Sequence, residues 1–312
     1  MIRYLKYEDI DKEKWDDCIR RSFNGNLYGY SWFLDVVAEY WEGLIEDEYE
    51  RVFPLTQNKK FGIHYLYQPF FTQQLGIFSK NILSKEIVTE FIKAIPDKFK
   101  YVEILLNAFN KVDESRFKVL PMINHELDLI KPYPGHLKSF SKNTKRNIKK
   151  AENEGIVIAR NVKPESIIEM FRNNRGKDIS RLGDMEYRRL KRLFYTCIYK
   201  GAGETFGAMN KHNELCAGAF FARANRKAIF LFSGMTSDGR DASAMFGIMN
   251  EFIKIHANSH LTLDFDGSND PNLARFYKGF GSRKIDYSKL IINKLPFCIN
   301  VPYKLMRRIR GS

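Results

Sequence analysis

Two carboxylates at the end of a predicted strand are the groups of this chain that are best placed to do chemistry. Apolar and polar side chains alternate over residues 261–266, which predicts a half-buried strand with Asp264 and Asp266 on one face. Turn residues follow at Gly267–Pro271 and end the strand. Because one of two neighbouring carboxylates binds its proton more tightly, the pair predicts a general base that accepts a proton from an amine. The alternative is a strand-end cap, in which both carboxylates bind backbone N–H groups.

A short aromatic helix is predicted directly after the turn. Pro271 suits the first position of a helix, apolar residues then recur at spacings of three and four, and Gly281 ends the segment. Tyr277 and Lys278 on this helix are candidates to donate hydrogen bonds to the oxygen that gains charge during acyl transfer. The alternative is a packed tyrosine beside a surface lysine. A last alternating run, Arg283–Ile292, predicts a closing strand.

The elements that position these groups recur in the first half of the chain. The tetrapeptide Glu-Phe-Ile-Lys occurs twice, each time within the order strand, polar loop, helix, strand. The segments are 61–67, 90–93 and 101–107 in the first half, and 227–233, 251–254 and 261–266 in the second. This order predicts an α+β (mixed α/β) fold of two similar domains, each a mixed, mostly antiparallel sheet flanked by helices. Asn58–Lys60 is the predicted turn between candidate strands at 49–57 and 61–70.

Charge is distributed unevenly along the chain. The 312 residues include 51 basic and 37 acidic side chains, a net charge of +14. Residues 1–130 hold 17 basic and 21 acidic side chains, whereas residues 131–312 hold 34 and 16. The change coincides with the proline-containing segment Lys131–Gly135, where we place the boundary between domains 1–130 and 131–312. A basic second half predicts a polyanionic partner, namely a phosphate-bearing cofactor, a tRNA or an anionic membrane surface.

Several basic side chains of the second half are candidates to bind phosphate. The segment Lys131–Lys150 contains no acidic residue, and 137–151 has helical propensity. Its two interpretations are an anion-binding helix face and an ordinary solvated one. The candidate anion-binding residues are Lys142, Arg146, Lys150, Arg175, Lys177 and Arg181.

A polar and aromatic loop of the first half, Tyr67–Gly76, is a candidate acceptor site. Gln68, Gln73 and Gln74 lie among its aromatic residues and predict the lining of a cleft between the domains. The alternative is that they are ordinary loop residues.

Other functional classes are not indicated. A composition that is 44% hydrophobic and 14% aromatic excludes a disordered chain. The four cysteines are scattered and the six histidines show no paired ligand spacing, so we expect reduced thiols and no metal site. We find no signal-peptide run and no membrane-span run, so we expect a cytoplasmic protein. The basic amphipathic tail, Pro302–Arg310, predicts either a packed C-terminal helix or a peripheral contact with anionic lipid at the inner face of the membrane.

Two sequence stretches resemble a known superfamily. Asp-Phe-Asp-Gly-Ser at 264–268 and Ala-Arg-Phe-Tyr-Lys-Gly-Phe-Gly at 274–281 are similar to the C-terminal half of a GNAT-superfamily acyltransferase domain. The resemblance is strongest to the Fem-type (FemXAB-like) bacterial proteins, which contain two such domains in tandem. It covers Ser141–Ala151, Arg175–Tyr187 and 204–292 in the second half, but only the Tyr67–Gly76 loop and its neighbours in the first.

The resemblance implies tandem GNAT-like domains and an N-acyltransferase, with envelope-related chemistry as the context. Fem-type proteins transfer an aminoacyl group from aminoacyl-tRNA to an amine of a cell-wall precursor, whereas the wider superfamily uses acyl-CoA. The segment Gly234–Ala244 departs from the GNAT pyrophosphate pattern Gln/Arg-x-x-Gly-x-Gly/Ala, so both donors stay open. Neither Cys197 nor Cys216 has a local base signature, so we expect direct attack of an amine on the donor, without a covalent enzyme intermediate. We also expect no tightly bound cofactor. The substrate-binding candidates then also include Tyr187, Ser233, Arg240 and Ser268.

A non-catalytic protein that binds tRNA or RNA through the basic second half is the competing hypothesis. RNA-binding surfaces usually place aromatic stacking residues beside basic ones, and residues 138–150 contain only Phe140. This composition disfavours sequence-specific RNA binding, although it is compatible with tRNA as a donor.

Overall fold

The computed structural model describes residues 1–267 and 269–296, which form two β-sheets with helices packed on them. The first half contains, in order, β1 (Ile2–Leu5), α1 (Lys12–Arg21), α2 (Ser31–Val37), β2 (Glu42–Glu46), β3 (Arg51–Leu55), β4 (Gln57–Lys60), β5 (Ile63–Leu66), β6 (Phe78–Ser79), α3 (Lys85–Lys93), β7 (Phe99–Leu105) and β8 (Lys118–Asp128). The second half contains α4 (Tyr133–Ser139), α5 (Lys142–Asn153), β9 (Val157–Arg160), α6 (Pro164–Asn173), α7 (Asp184–Tyr199), β10 (Gly203–Met209), β11 (Leu215–Ala224), β12 (Lys227–Met235), α8 (Ser237–Asp241), α9 (Ala244–His256), β13 (Thr262–Asp264), α10 (Pro271–Gly279) and β14 (Arg283–Asn293). The expected mixed α+β class is confirmed.

Two parallel strand pairs organise the larger sheet. Its order is β4-β5-β7-β14-β8-β13-β12-β11-β10-β9, and a smaller sheet has the order β1-β2-β3-β6. The pairs β5–β7 and β12–β13 are parallel, whereas the other pairings between these strands are antiparallel. A helix, α3 in the first pair and α9 in the second, lies between the two strands in sequence, as a parallel connection requires. These pairs are the two strand–helix–strand units that the repeated tetrapeptide predicts.

The closing strand of each half lies in the part of the sheet that the other half builds. β14, the last strand, is inserted between β7 and β8 of the first half. β8, the last strand of the first half, pairs with β13, and Glu126 lies opposite Asp264. The chain passes from β8 to α4 at Pro132, the residue that precedes the helix. The division at residue 130 stays a prediction, and it separates strands that pair with one another.

Aromatic side chains of β11 connect two hydrophobic cores. Phe220 stacks on Phe194 of α7 at 3.9 Å between ring centroids, in the core that contains most of the first half. Phe221 stacks on Phe252 of α9, also at 3.9 Å, in the second core. Consecutive residues of a strand point to opposite faces, so α7 and α9 cover the two sides of the same strand. The sheet that supports the candidate site is therefore covered on both faces.

Three local predictions differ from the structure. The helix expected at 137–151 is two helices, because the Ser141 hydroxyl accepts a hydrogen bond from the Thr144 N–H (3.1 Å) and so caps a new helix. The loop expected at 234–241 contains the short helix α8. Asn58–Lys60 is part of edge strand β4 and not a turn, since Phe61 and Gly62 have φ of 49° and 78° and supply the hairpin turn themselves. Polar residues suit an exposed edge strand as well as they suit a turn.

Candidate functional site

A cavity opens where two neighbouring strands separate. β12 and β13 pair only over Lys227–Ile229 and Thr262–Asp264. Beyond this point β12 stays paired with β11 and contains one extra residue, Leu231, between the residues opposite Phe220 and Phe221. Such a bulge bends a strand. Residues on both sides of the gap, 230–235 and 265–267, line a cavity of about 1180 Å³.

The cavity has aromatic walls with a small number of polar groups. The polar and charged side chains that line it come from the segment after α6, from β12, from the α8–α9 region, from the end of β13 and from α10. They include Arg175, Asp178, Ser233, Arg240, Ser243, Asp266 and Tyr277. The apolar lining includes Phe171, Phe230, Phe232, Phe246, Phe265 and Phe276. A concave, mainly apolar pocket with a few convergent polar groups is typical of a small-molecule site.

Of the described residues, Asp266 and Asp178 are the two carboxylates that line this cavity, and Asp266 is the one at the β13 end of the site. It has a left-handed backbone conformation, with φ of 58°, directly after β13. The hydroxyl of Tyr28, a buried residue of the first half, donates a hydrogen bond to Asp266 Oδ1. Burial raises the pKa of Asp266 well above its ordinary value; the Tyr28 hydrogen bond opposes that rise and the nearby charge of Asp264 adds to it. A carboxylate with a raised pKa is a stronger proton acceptor than an exposed aspartate.

Asp264 occupies a different environment from Asp266. Its Oδ1 accepts hydrogen bonds of 2.9 Å from Asn124 Nδ2 and from the backbone N–H of Asp266. Its Oδ2 lies 3.7 Å from the ammonium nitrogen of Lys227, which also pairs with Glu126. Only 4% of Asp264 is exposed, and it is not among the residues that line the cavity. The geometry therefore matches the strand-end cap for Asp264 and leaves Asp266 as the candidate base.

Tyr277 and Lys278, which the sequence analysis pairs as donors to the same oxygen, lie in different surroundings. Tyr277 is buried and lines the cavity, and burial raises the pKa of its phenol, with the charge of Asp266 adding to the rise. Lys278 is exposed and lies outside the cavity lining. Its charge acts on His125, whose pKa is lowered by burial and by the Lys278 ammonium. Consecutive residues of a helix point about 100° apart, so when Tyr277 lies in the cavity wall, Lys278 points away from the cavity.

The three glutamines of the first-half loop have separate places. Gln73 is buried beside the turn at Gly267, where a Cβ would lie 1.8 Å from Gln73 Nε2, and it hydrogen-bonds to Tyr287. Gln68 holds its own loop together, because it donates to the Thr72 carbonyl (3.0 Å) and accepts from the Leu105 N–H (2.9 Å). Gln74 donates to Gln73 Oε1 (3.0 Å) and accepts from the Ala108 N–H (3.3 Å). Only Gln73 approaches the Asp266 end of the site, and none of the three lines the described cavity.

The predicted anion-binding residues divide into a cavity set and an exposed set. Arg175, Arg240 and Ser233 line the cavity. Tyr187 is buried outside it, with the Arg172 guanidinium 5.1 Å from its ring centroid. The exposed residues outside the lining are Lys142, Arg146 and Lys150 on α5, and Lys177 and Arg181 in the segment before α7. Ser268 and the tail Pro302–Arg310 lie outside the described residues.

The exposed basic face of α5 lies close to the rim of the cavity. Ser243, which lines the cavity, donates a hydrogen bond of 2.9 Å to Asn147 Oδ1 on α5. Lys142, Arg146 and Lys150 share the solvent-exposed part of this helix. A long anionic ligand in the cavity would therefore pass near these charges as it reaches solvent.

The sequence analysis missed the partners that surround the two aspartates. Tyr28 lies in a short 3-10 helix, Leu27–Gly29, 238 residues before Asp266, and no local pattern predicts that pairing. Tyr287, whose pKa is raised by burial and by the charge of Asp266, lies on the closing strand. A usable signal did exist for Glu126 and Lys227, since charged residues within otherwise apolar strands usually pair with each other.

Residues 1–267 and 269–296 contain neither a metal-binding cluster nor a helix that could span a membrane. These residues contain no cluster of three or more histidine, cysteine or acidic side chains placed to bind a metal ion. None of their helices is long and apolar enough to cross a membrane.

Comparison with known proteins places the fold. No family model and no curated protein sequence matches the chain. The crystal structure of FemX superimposes with a TM-score of 0.65 at 14% identity, covering 92% of this chain and 96% of FemX. The C-terminal domain of a putative lysylphosphatidylglycerol synthetase from Agrobacterium fabrum gives 0.59 at 9% identity, covering 95% and 94%. L-PGS from Bacillus licheniformis gives 0.54 at 11% identity, covering 96% and 97%. The chain therefore shares the fold of these proteins over almost its whole length.

Proposed function

We propose that this protein is an N-acyltransferase that moves an acyl or aminoacyl group from a phosphate-bearing donor to an amine. The observation that supports the proposal most directly is Asp266, a carboxylate with a raised pKa in the wall of a large cavity between separating strands. The fold likeness to FemX, to L-PGS and to the C-terminal domain of a putative lysylphosphatidylglycerol synthetase supports group transfer to an envelope-related acceptor.

The chemistry that these residues supply is direct aminolysis. The amine nitrogen attacks the carbonyl carbon of the donor and a C–N bond forms, while the thioester C–S bond or the ester C–O bond breaks. Asp266 accepts the proton that the amine loses, and the departing sulfur or oxygen takes up a proton. Tyr277 stays protonated because its pKa is raised, so its hydroxyl can donate to the oxygen that gains negative charge.

The donor is held by the second half of the chain. Arg175 and Arg240 line the cavity and provide guanidinium groups that suit phosphate oxygens. Lys142, Arg146 and Lys150 extend positive charge along α5 beyond the rim. Acyl-CoA and aminoacyl-tRNA both present an anionic body behind a reactive carbonyl, and these residues suit either.

The test combines donor binding with turnover. Wild type, Asp266→Ala and Asp286→Ala are mixed with acetyl-CoA or with charged total tRNA at two salt concentrations, and melting temperature is measured. Transfer to a panel of amines is then followed by release of free CoA or of uncharged tRNA. Asp286 is an exposed aspartate on β14 and serves as the matched control.

We expect one donor to stabilise all three proteins and only Asp266→Ala to lose transfer, by at least about a hundredfold, as for a lost general base. Equal, salt-sensitive stabilisation by any RNA without transfer would favour the polyanion-binding alternative. Undiminished transfer by Asp266→Ala would remove the proposed base.

A further inference from the structure

The hairpin between β4 and β5 has a tip that local folding does not explain. Phe61 is 91% exposed and has a φ of 49°, followed by Gly62 at 78°. Two-residue turns of this kind favour Asn-Gly, since both central residues need positive φ. A bulky aromatic residue there has an unfavourable backbone conformation and exposes its ring to solvent, so neither the turn nor the core accounts for the residue at this position.

Exposed lysines lie on the hairpin and on other strands at the same end of the sheet. Lys59 and Lys60 are exposed on the hairpin, and the Lys60 ammonium lies 5.5 Å from the Phe61 ring centroid. Strand register brings further exposed lysines to the same end of the sheet, because β5 and β7 start there and β8 starts beside the end of β14. These are Lys100 on β7 and Lys118 on β8. The carboxylate of Asp97, also at this end, is paired with Lys294 at 2.7 Å.

The chain leaves the described region at this same end. β14 ends with Asn293 opposite Tyr101, two strand positions from β5, which is about 10 Å at the usual spacing between strands. The sequence beyond the last described residue continues for 16 residues, 297–312. It contains four basic residues among apolar ones, namely Lys304, Arg307, Arg308 and Arg310 with Leu305, Met306 and Ile309.

We propose that this end of the sheet is a docking surface for an anionic lipid bilayer. The surface is the hairpin Lys59–Gly62 together with Lys100 and Lys118. Phe61 enters the headgroup region, and the lysines contact lipid phosphates. Each basic side chain at an anionic membrane surface adds attraction, and an aromatic ring at the interface adds burial of apolar area.

A lipid surface fits these features better than RNA does. Single-stranded nucleic acids bind in grooves along which successive aromatic side chains stack on the bases. Here one aromatic ring lies at a convex tip, and the basic tail sequence that continues from the same end includes aliphatic residues. Such residues suit a hydrocarbon interface and add little to phosphate binding.

The test is co-sedimentation of the full chain with vesicles of phosphatidylcholine, with or without phosphatidylglycerol. The main variant is Phe61→Asn, which creates the favoured Asn-Gly turn and so keeps the hairpin folded. A second variant is Lys59→Ala with Lys60→Ala. Tyr199→Phe, at another highly exposed aromatic residue, is the matched control.

We expect wild type to bind only the vesicles that contain phosphatidylglycerol. Phe61→Asn should weaken that binding about tenfold, as loss of a partly buried ring predicts. The double lysine variant should weaken it by about twentyfold or more at low salt, and Tyr199→Phe should leave it unchanged. Absence of wild-type binding to these vesicles, or equal binding by Phe61→Asn, would each overturn the proposal. Binding to single-stranded RNA on beads without binding to vesicles would overturn it as well. None of these outcomes depends on acyl transfer.

Discussion

The raised pKa of Asp266 makes a prediction about stability that requires no knowledge of the substrates. In the unfolded chain this carboxyl has its ordinary pKa of 3.8, and in the folded protein burial raises the pKa well above that value. Between the two values the folded state binds more protons than the unfolded state, so the contribution of Asp266 to stability is lost as pH rises. Asp266→Asn retains an oxygen that can accept the Tyr28 hydrogen bond but cannot ionise. The variant should therefore become more stable than wild type as pH rises.

The size of this effect follows from linkage. One proton difference changes the free energy of unfolding by about 1.4 kcal/mol per pH unit. For a chain of 312 residues, this corresponds to about 2 °C in melting temperature per pH unit. The difference in melting temperature between Asp266→Asn and wild type should increase at this rate from about pH 4 upward and become constant above the folded-state pKa of Asp266.

The assay is a set of melting curves for wild type, Asp266→Asn and Asp286→Asn in buffers from about pH 5 to about pH 8. Asp286 is an exposed carboxylate on β14, so its variant should follow wild type at every pH. A difference in melting temperature between Asp266→Asn and wild type that is constant over this pH range would refute the raised pKa of Asp266. A large loss of stability at every pH would instead assign Asp266 to a capping role.

Two further predictions concern the surroundings of Asp266. Tyr28→Phe removes the hydrogen bond that lowers the pKa of Asp266, so the acidic limb of the pH–rate profile should move to higher pH. Tyr30→Phe, which removes a hydroxyl that bonds to Asn225, should not move it. Gly267→Ala places a Cβ 1.8 Å from Gln73 Nε2 at a φ of 60°, whereas Gly62→Ala has positive φ but no atom within 4 Å. Thermal unfolding should show the Gly267 variant to be less stable than the Gly62 variant by about 1–3 kcal/mol, and equal losses would contradict the close approach of Gln73.

Local patterns in the sequence were sufficient for several elements that build the site. Alternation over 261–266 predicts β13, and Pro271 and Gly281 bracket α10 closely. The repeated order predicts the two strand–helix–strand units, although not that the strands of each unit are parallel. These features depend on residues that are neighbours along the chain, which is the information that periodicity and capping contain.

Contacts between distant segments could not be predicted in this way. The pairing of Tyr28 with Asp266 depends on how the two halves pack together, and no residue near Tyr28 marks it. Lys278 was grouped with Tyr277 because the two are adjacent in sequence, although helical phase directs them to different surroundings. Asp264 and Asp266 share a strand face by period, yet the left-handed conformation of Asp266 removes it from the strand and places it in the cavity wall.

The insertion of β14 between β7 and β8 has a consequence for synthesis on the ribosome. The first half cannot complete its part of the sheet until residues 283–293 have been translated, because β7 pairs with β14 on one side. An unpaired strand edge is prone to pair with other chains. During most of translation, the exposed edges of β7 and β8 must therefore be covered, either by a chaperone or by transient pairing of the two strands with each other. A fragment that contains only residues 1–130 should therefore aggregate.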